Sequence, residues 1–77
     1  MEELLMDFQD YIDKAFETEN VQEQMKWLER ALALDPGRIE NVLRVAKGLP
    51  YLSARTSGKE YIAALEKRAR QAQEEKG

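Results

Sequence analysis

An all-α fold is what this 77-residue chain predicts, with four antiparallel helices arranged as two stacked helical hairpins. Three observations predict it. Apolar residues recur at helical spacing in four segments, and no strand-like alternation competes with them. Each segment carries its own start or stop signal. The connections are short, which makes consecutive helices antiparallel neighbours. The expected organisation is a single helical domain over 1–77, with one hairpin in 1–35, a second in 36–73 and a frayed charged tail in 74–77.

The first helix is expected over 2–18. Leu4, Leu5, Phe8, Tyr11, Ile12, Ala15 and Phe16 share one face, with Met6 opposite. Asp7, Asp10, Asp13 and Glu17 take much of the rest, and acids near the N-terminus suit the helix dipole. Asn20, with Glu23 three residues on, has the spacing of a capping box and opens a second helix over 21–34. Val21, Met25, Leu28 and Leu32 mark one edge of its apolar face. Trp27, Ala31 and Leu34 widen that face to about half the circumference.

Asp35 is placed to cap a third helix, with Pro36 at its first position, where a missing N–H costs nothing. Ile39, Val42, Val45, Ala46 and Leu49 form its stripe, and Gly48 and Pro50 end it. Residues 51–56 read as a connector, with Tyr51 and Leu52 tucked against the core. Ser57 and Glu60 read as a capping box for a fourth helix over 58–73. Its stripe is Tyr61, Ile62, Leu65, Ala69 and Ala72. The i,i+4 pairs Glu66/Arg70 and Arg70/Glu74 support it from the solvent side.

The first hairpin closes on Ala31-Leu32-Ala33-Leu34-Asp35-Pro36. This ending resembles that of the tetratricopeptide repeat, a 34-residue helix-turn-helix unit. Ala31 and Pro36 match the family's second-helix Ala and terminal Pro. Phe8, Tyr11 and Leu28 fill its large apolar slots. In the second half Val42, Val45 and Ile62 fit apolar slots, and Ala46 and Gly58 fit small-residue slots. The departures are Ile12 in a glycine slot, Gln24 and Leu65 in small-residue slots, Arg70 in place of the second proline, and a long connector over 49–57. The resemblance implies tetratricopeptide-like architecture and a protein- or peptide-docking role. About three such repeats are usually needed for stability, and this chain holds at most two.

Composition narrows the chemistry. A chain this short buries only about 60–65% of its unfolded surface, so modest stability is expected. There is no Cys and no His, which removes the usual metal ligands, the usual general base and the thiol nucleophile. No catalytic residue, cofactor or metal is therefore expected. Acid pairs such as Asp10/Asp13 read as helix solvation. The run Thr56-Ser57-Gly58-Lys59 lacks the upstream glycine and strand of a phosphate loop. With no signal-peptide pattern and no apolar run of membrane-spanning length, a cytoplasmic protein without a membrane partner is the expectation.

Charge is divided unevenly. Residues 1–36 hold ten Asp/Glu and three Lys/Arg, a balance of −7; residues 37–77 hold five and nine, a balance of +4. Two halves with complementary packing surfaces explain this, and so does a basic face for an acidic partner.

The leading functional expectation is a non-catalytic interaction module or adaptor that binds a protein partner or forms a homo-oligomer. Trp27 and Leu34 are its candidate anchors, because they flank an unusually wide stripe and Trp is favoured at interfaces. Arg44 and Lys47 are its candidate electrostatic rim. Burial of both anchors between neighbouring helices is the competing expectation. A nucleic-acid-binding regulator is the alternative: the Asp35-Pro36-Gly37 turn with the third helix has helix-turn-helix form, and Asn41 and Arg44 are base-reading types. Arg38, Arg55 and Lys59 add basic charge, whereas Glu40 on the reading face and the negative total charge oppose it. A small inhibitor or immunity-type protein is a third reading, inseparable from the first by sequence.

Overall fold

The computed structural model describes residues 7–76, with side chains through Glu74. Leu4, Leu5 and Met6 of the expected first helix lie outside the described residues. The chain is all-α, with no strand among those residues. Five α-helices form where four were expected: α1 (Phe8–Glu17), α2 (Val21–Leu34), α3 (Ile39–Gly48), α4 (Pro50–Ala54) and α5 (Thr56–Lys76).

α1 starts at a capping box made by two aspartates. The Asp7 carboxylate accepts from the Asp10 N–H, and the Asp10 carboxylate accepts from the Asp7 N–H, each at 3.0 Å. These bonds satisfy two donors that a helix start leaves open. Phe8, Ile12 and Ala15 are buried against α2. Phe16, expected on that face, is 56% exposed. The reason is geometric. Among the described elements α1 packs mainly on α2, with Arg38 over the Phe8 ring, so only a narrow strip is covered, and Phe16 falls on its flank.

Residues 18–20 turn the chain back into α2. Asn20 Oδ1 accepts from the Glu23 N–H at 3.0 Å, but the Asn20 N–H goes to Thr18 Oγ1 at 3.2 Å, so the expected box is half-formed. Tyr11 lies by Trp27 and Thr18 by Gln24. One number rises as the other falls, the pattern of antiparallel neighbours. Gln24 is 1% exposed; its Nε2 donates to the Thr18 carbonyl at 2.9 Å, while its Oε1 has no partner.

The Asp35 side chain makes no capping bond to a helix start; its backbone N–H closes the end of α2 on the Ala31 carbonyl. Pro36–Arg38 form a 3-10 turn, and Asp35 pairs instead with Arg38 Nε at 3.1 Å. α3 therefore begins at Ile39. Ile39, Val42 and Ala46 are buried along it, and Leu49 is buried just after it.

The expected connector is mostly helix. Pro50 opens α4 at N1, where proline is tolerated. Leu52 is fully buried, but Tyr51 is 47% exposed. Adjacent residues on a helix point about 100° apart, so one short turn delivers only one of them to the core. α5 has already begun at Thr56, and the Lys59 N–H donates to the Arg55 carbonyl at 2.8 Å. The Ser57/Glu60 box consequently does not form. α5 also continues to Lys76, past the expected boundary at Gln73. Gly58 permits the α4–α5 contact: a Cβ there would sit 1.8 Å from the Leu52 carbonyl oxygen.

The core joins these elements through Leu28, Val42, Leu49, Leu52 and Leu65, all essentially buried. Each such leucine contributes about 1.5–3 kcal/mol. α3, α4 and α5 pack on one another and on α2, whereas α1 sits at an edge. The Cα atoms fill a slab of 40 × 29 × 14 Å with a radius of gyration of 12.5 Å. That thickness corresponds to two helix layers about 8–10 Å apart. A compact domain of this length has a radius near 11.5 Å, so much helix surface remains open.

Candidate functional site

A groove of about 450 Å³ lies between α3 and α5. Its geometry follows from their antiparallel register. Lys47 pairs with Glu66 at 3.0 Å, and Glu40 accepts from the Gln73 amide. These two rungs are seven residues apart on each helix, or about 10 Å. Between them lie Leu43, Arg44, Ala69 and Arg70. Half-buried Leu43 and buried Ala69 form an apolar floor; Arg44 and Arg70 are exposed on the walls. Among the described residues, no carboxylate lies at ion-pair distance from either arginine. Glu66, expected to pair with Arg70 along α5, is drawn across the groove by Lys47 instead. With three cations against two carboxylates, the lining is net positive.

The four residues singled out as partner-binding fall on two separate surfaces. Arg44 and Lys47 line this groove. Trp27 lies on the α1 side of α2, half-buried, with its ring centre 5.9 Å from that of Tyr11 and 25° from parallel. Lys26 Nζ stands 4.9 Å from the indole and the Arg30 guanidinium 5.6 Å from it, so two cations line its open side. Leu34, at the end of α2, is 52% exposed.

Three features escaped the sequence. Leu43 forms the groove floor; it follows Val42 on the margin of the α3 stripe, and its burial depends on a neighbour. Arg70 reads in the sequence as a solvent-side partner of Glu66 and Glu74 in place of a second proline, yet it becomes a wall. Third, Glu29 ties α2 to α5: it accepts from the Tyr61 hydroxyl, and Arg68 reaches the same oxygen at 3.1 Å. Burial, and then the Glu29 carboxylate, push the Tyr61 hydroxyl far above its ordinary ionisation range, with Arg68 opposing. No spacing rule joins residues 32 and 39 positions apart.

On α1, the exposed side carries Asp10, Asp13 and Glu17 along one ridge, with Lys14 beside them and Phe16 at the margin. No described helix is long and apolar enough to cross a membrane. Comparison of the chain with protein-family models, with curated proteins and with solved structures gave no match.

Proposed function

We propose that the protein is a non-catalytic interaction module, built as a tetratricopeptide-like pair of stacked helical hairpins, that docks an acidic amphipathic helix in the α3/α5 groove. The observation that carries this reading is the pairing of an apolar floor with two exposed arginines between two closed rungs. An apolar side chain of the partner occupies the floor, and its carboxylates meet Arg44 and Arg70. Such contacts bind through the apolar anchor and select through charge. Leu34 and the Trp27 flank lie outside this groove and are a secondary contact surface in this reading.

Fluorescence anisotropy with a designed helical peptide tests it, the peptide bearing acids on one face and a single Phe at their margin. Saturable binding is expected, weakened at least about tenfold in Arg44→Glu/Arg70→Glu, roughly 1.4 kcal/mol. A charge-reversed peptide should not bind. Equal binding of both peptides, or tighter binding of duplex DNA at the same ionic strength, would overturn the reading.

A further inference from the structure

We propose that the occupant of the α3/α5 groove is helix α1 of a second copy of this chain, so that copies join head to tail. The inference rests on the reading of that groove as a helix-docking site. Three observations carry it.

Charge is the first. The N-terminal 36 residues balance at −7 and the remainder at +4. The basic half supplies the groove walls, Arg44 and Arg70. The acidic half supplies the open face of α1, where exposed Asp10, Asp13 and Glu17 outnumber the exposed Lys14 beside them. Their i, i+3, i+7 spacing places them along one ridge about 10 Å long. The distance between the two rungs of the groove is the same.

The second is an apolar anchor that the described helices leave more than half exposed. Phe16 is 56% exposed and borders the acidic ridge one residue before Glu17. Among the described elements α2 is the main neighbour of α1, with the Arg38 guanidinium over the Phe8 ring at its other end. The groove floor of Leu43 and Ala69 is the apolar counterpart of this ring.

The third is placement. α5 turns Tyr61 and Arg68 toward α2, where both meet Glu29. Glu66, Arg70 and Gln73 lie on its other side and line the groove. The groove thus opens away from α2, and α2 separates it from α1. A chain cannot fill its own groove, but each copy offers one ridge and one groove on opposite edges. Unlike surfaces of this kind make a heterologous contact, which propagates or closes into a ring.

Sedimentation velocity over a wide concentration range, at low and at physiological salt, tests the assembly. Wild-type protein should grow beyond monomer with concentration, and salt should weaken the association because exposed charges are screened. Asp13→Lys/Glu17→Lys reverses the ridge while sparing the Asp7–Asp10 cap, and Arg44→Glu/Arg70→Glu reverses the groove. Each variant alone should remain monomeric. An equimolar mixture should assemble, because every ridge then meets a groove of opposite sign. Phe16→Ala should raise the dissociation constant about tenfold. Circular dichroism of each variant reports its folding separately.

A wild-type monomer at every concentration at low salt overturns the inference. So does assembly that both charge-reversed variants retain. If the wild type stays monomeric and still binds the acidic helical peptide, the groove stands and only the second copy falls. If the peptide does not bind either, the groove reading falls with it.

Discussion

At the scale of single residues, close approach and buried polarity set the largest effects. Replacing a helical glycine with alanine usually stabilises by about 0.5–1 kcal/mol, because the unfolded chain loses freedom. Gly48 meets this condition: no atom lies within 4 Å of a Cβ there, and its φ is not positive. Gly48→Ala should therefore raise Tm. Gly58→Ala should do the opposite. Its Cβ would lie 1.8 Å from the Leu52 oxygen and 2.7 Å from the Leu52 carbonyl carbon, both backbone atoms that cannot rotate away. Overpacking of this kind costs about 1–3 kcal/mol, which in a domain of this size lowers Tm by about 4 °C or more. Thermal unfolding of the two variants side by side checks the opposite signs.

Tyr61 gives a pH signature. Its folded-state hydroxyl holds its proton well above the range in which an unfolded tyrosine ionises, about pH 10. Above that pH the unfolded state binds fewer protons than the folded state, so stability falls as pH rises. The contribution is fully present below pH 10 and is lost on the alkaline side. Tyr61→Phe should cost about 1 kcal/mol at neutral pH through the lost bond to Glu29. Denaturant melts of both proteins should then converge as pH climbs past about 10.

At the scale of elements, α2 is the organising helix, because α1 covers one flank and α4 and α5 the other. This placement divides its wide apolar stripe. Leu28, Ala31 and Leu32 go to the core, and Trp27 goes to a stack with Tyr11. Trp27 therefore carries stability in the α1–α2 hairpin. Trp27→Ala should destabilise by about 2 kcal/mol, combining lost ring stacking with lost burial. It should leave binding of the acidic peptide to the α3/α5 groove unchanged. Lost binding with intact stability would instead place the interface on α2. The role of Trp27 was open in the sequence for a physical reason: a flank residue of a broad stripe is covered or uncovered by its neighbours, not by its own helix. Phe16 illustrates the other outcome. Its spacing is as regular as that of Ile12, yet no described element covers its side of α1.

At the scale of the whole molecule, the slab is uneven. α3, α4 and α5 are held to α2 by a shared core and by the Glu29 bonds to Tyr61 and Arg68. α1 is held mainly by one neighbour and is only ten residues long. An isolated helix of that length is marginal in water, so α1 depends on Phe8, Ile12 and Ala15 seated on α2. Amide hydrogen exchange should find α1 opening below the global unfolding free energy, with α2 and the middle of α5 protected longest. Uniform protection across all five helices would contradict this arrangement. Under conditions that favour assembly, protection of α1 and of the α3/α5 groove should rise together.

Local pattern is enough for the helical class, for the Phe8, Ile12 and Ala15 strip of α1, for the α2 and α3 cores and for most of α5. Those depend on 3.6-residue periodicity and on local punctuation such as Asn20, which acts over a few residues; Pro36 opens a 3-10 turn rather than α3, which starts at Ile39. Local pattern misread the linker over 51–56, because a single turn like α4 has too few residues for a period to register. It also misread the start of α5, where local capping chemistry at Ser57 lost to continuation of the helix from Thr56. Which flanks remain open and which distant charges meet follows from the placement of the helices against one another. The Lys47–Glu66 rung, the Glu29 latch, the Leu43 floor and the exposed Phe16 all depend on how helices are placed against one another. That placement is settled by packing between residues far apart in the chain, and local pattern carries no record of it.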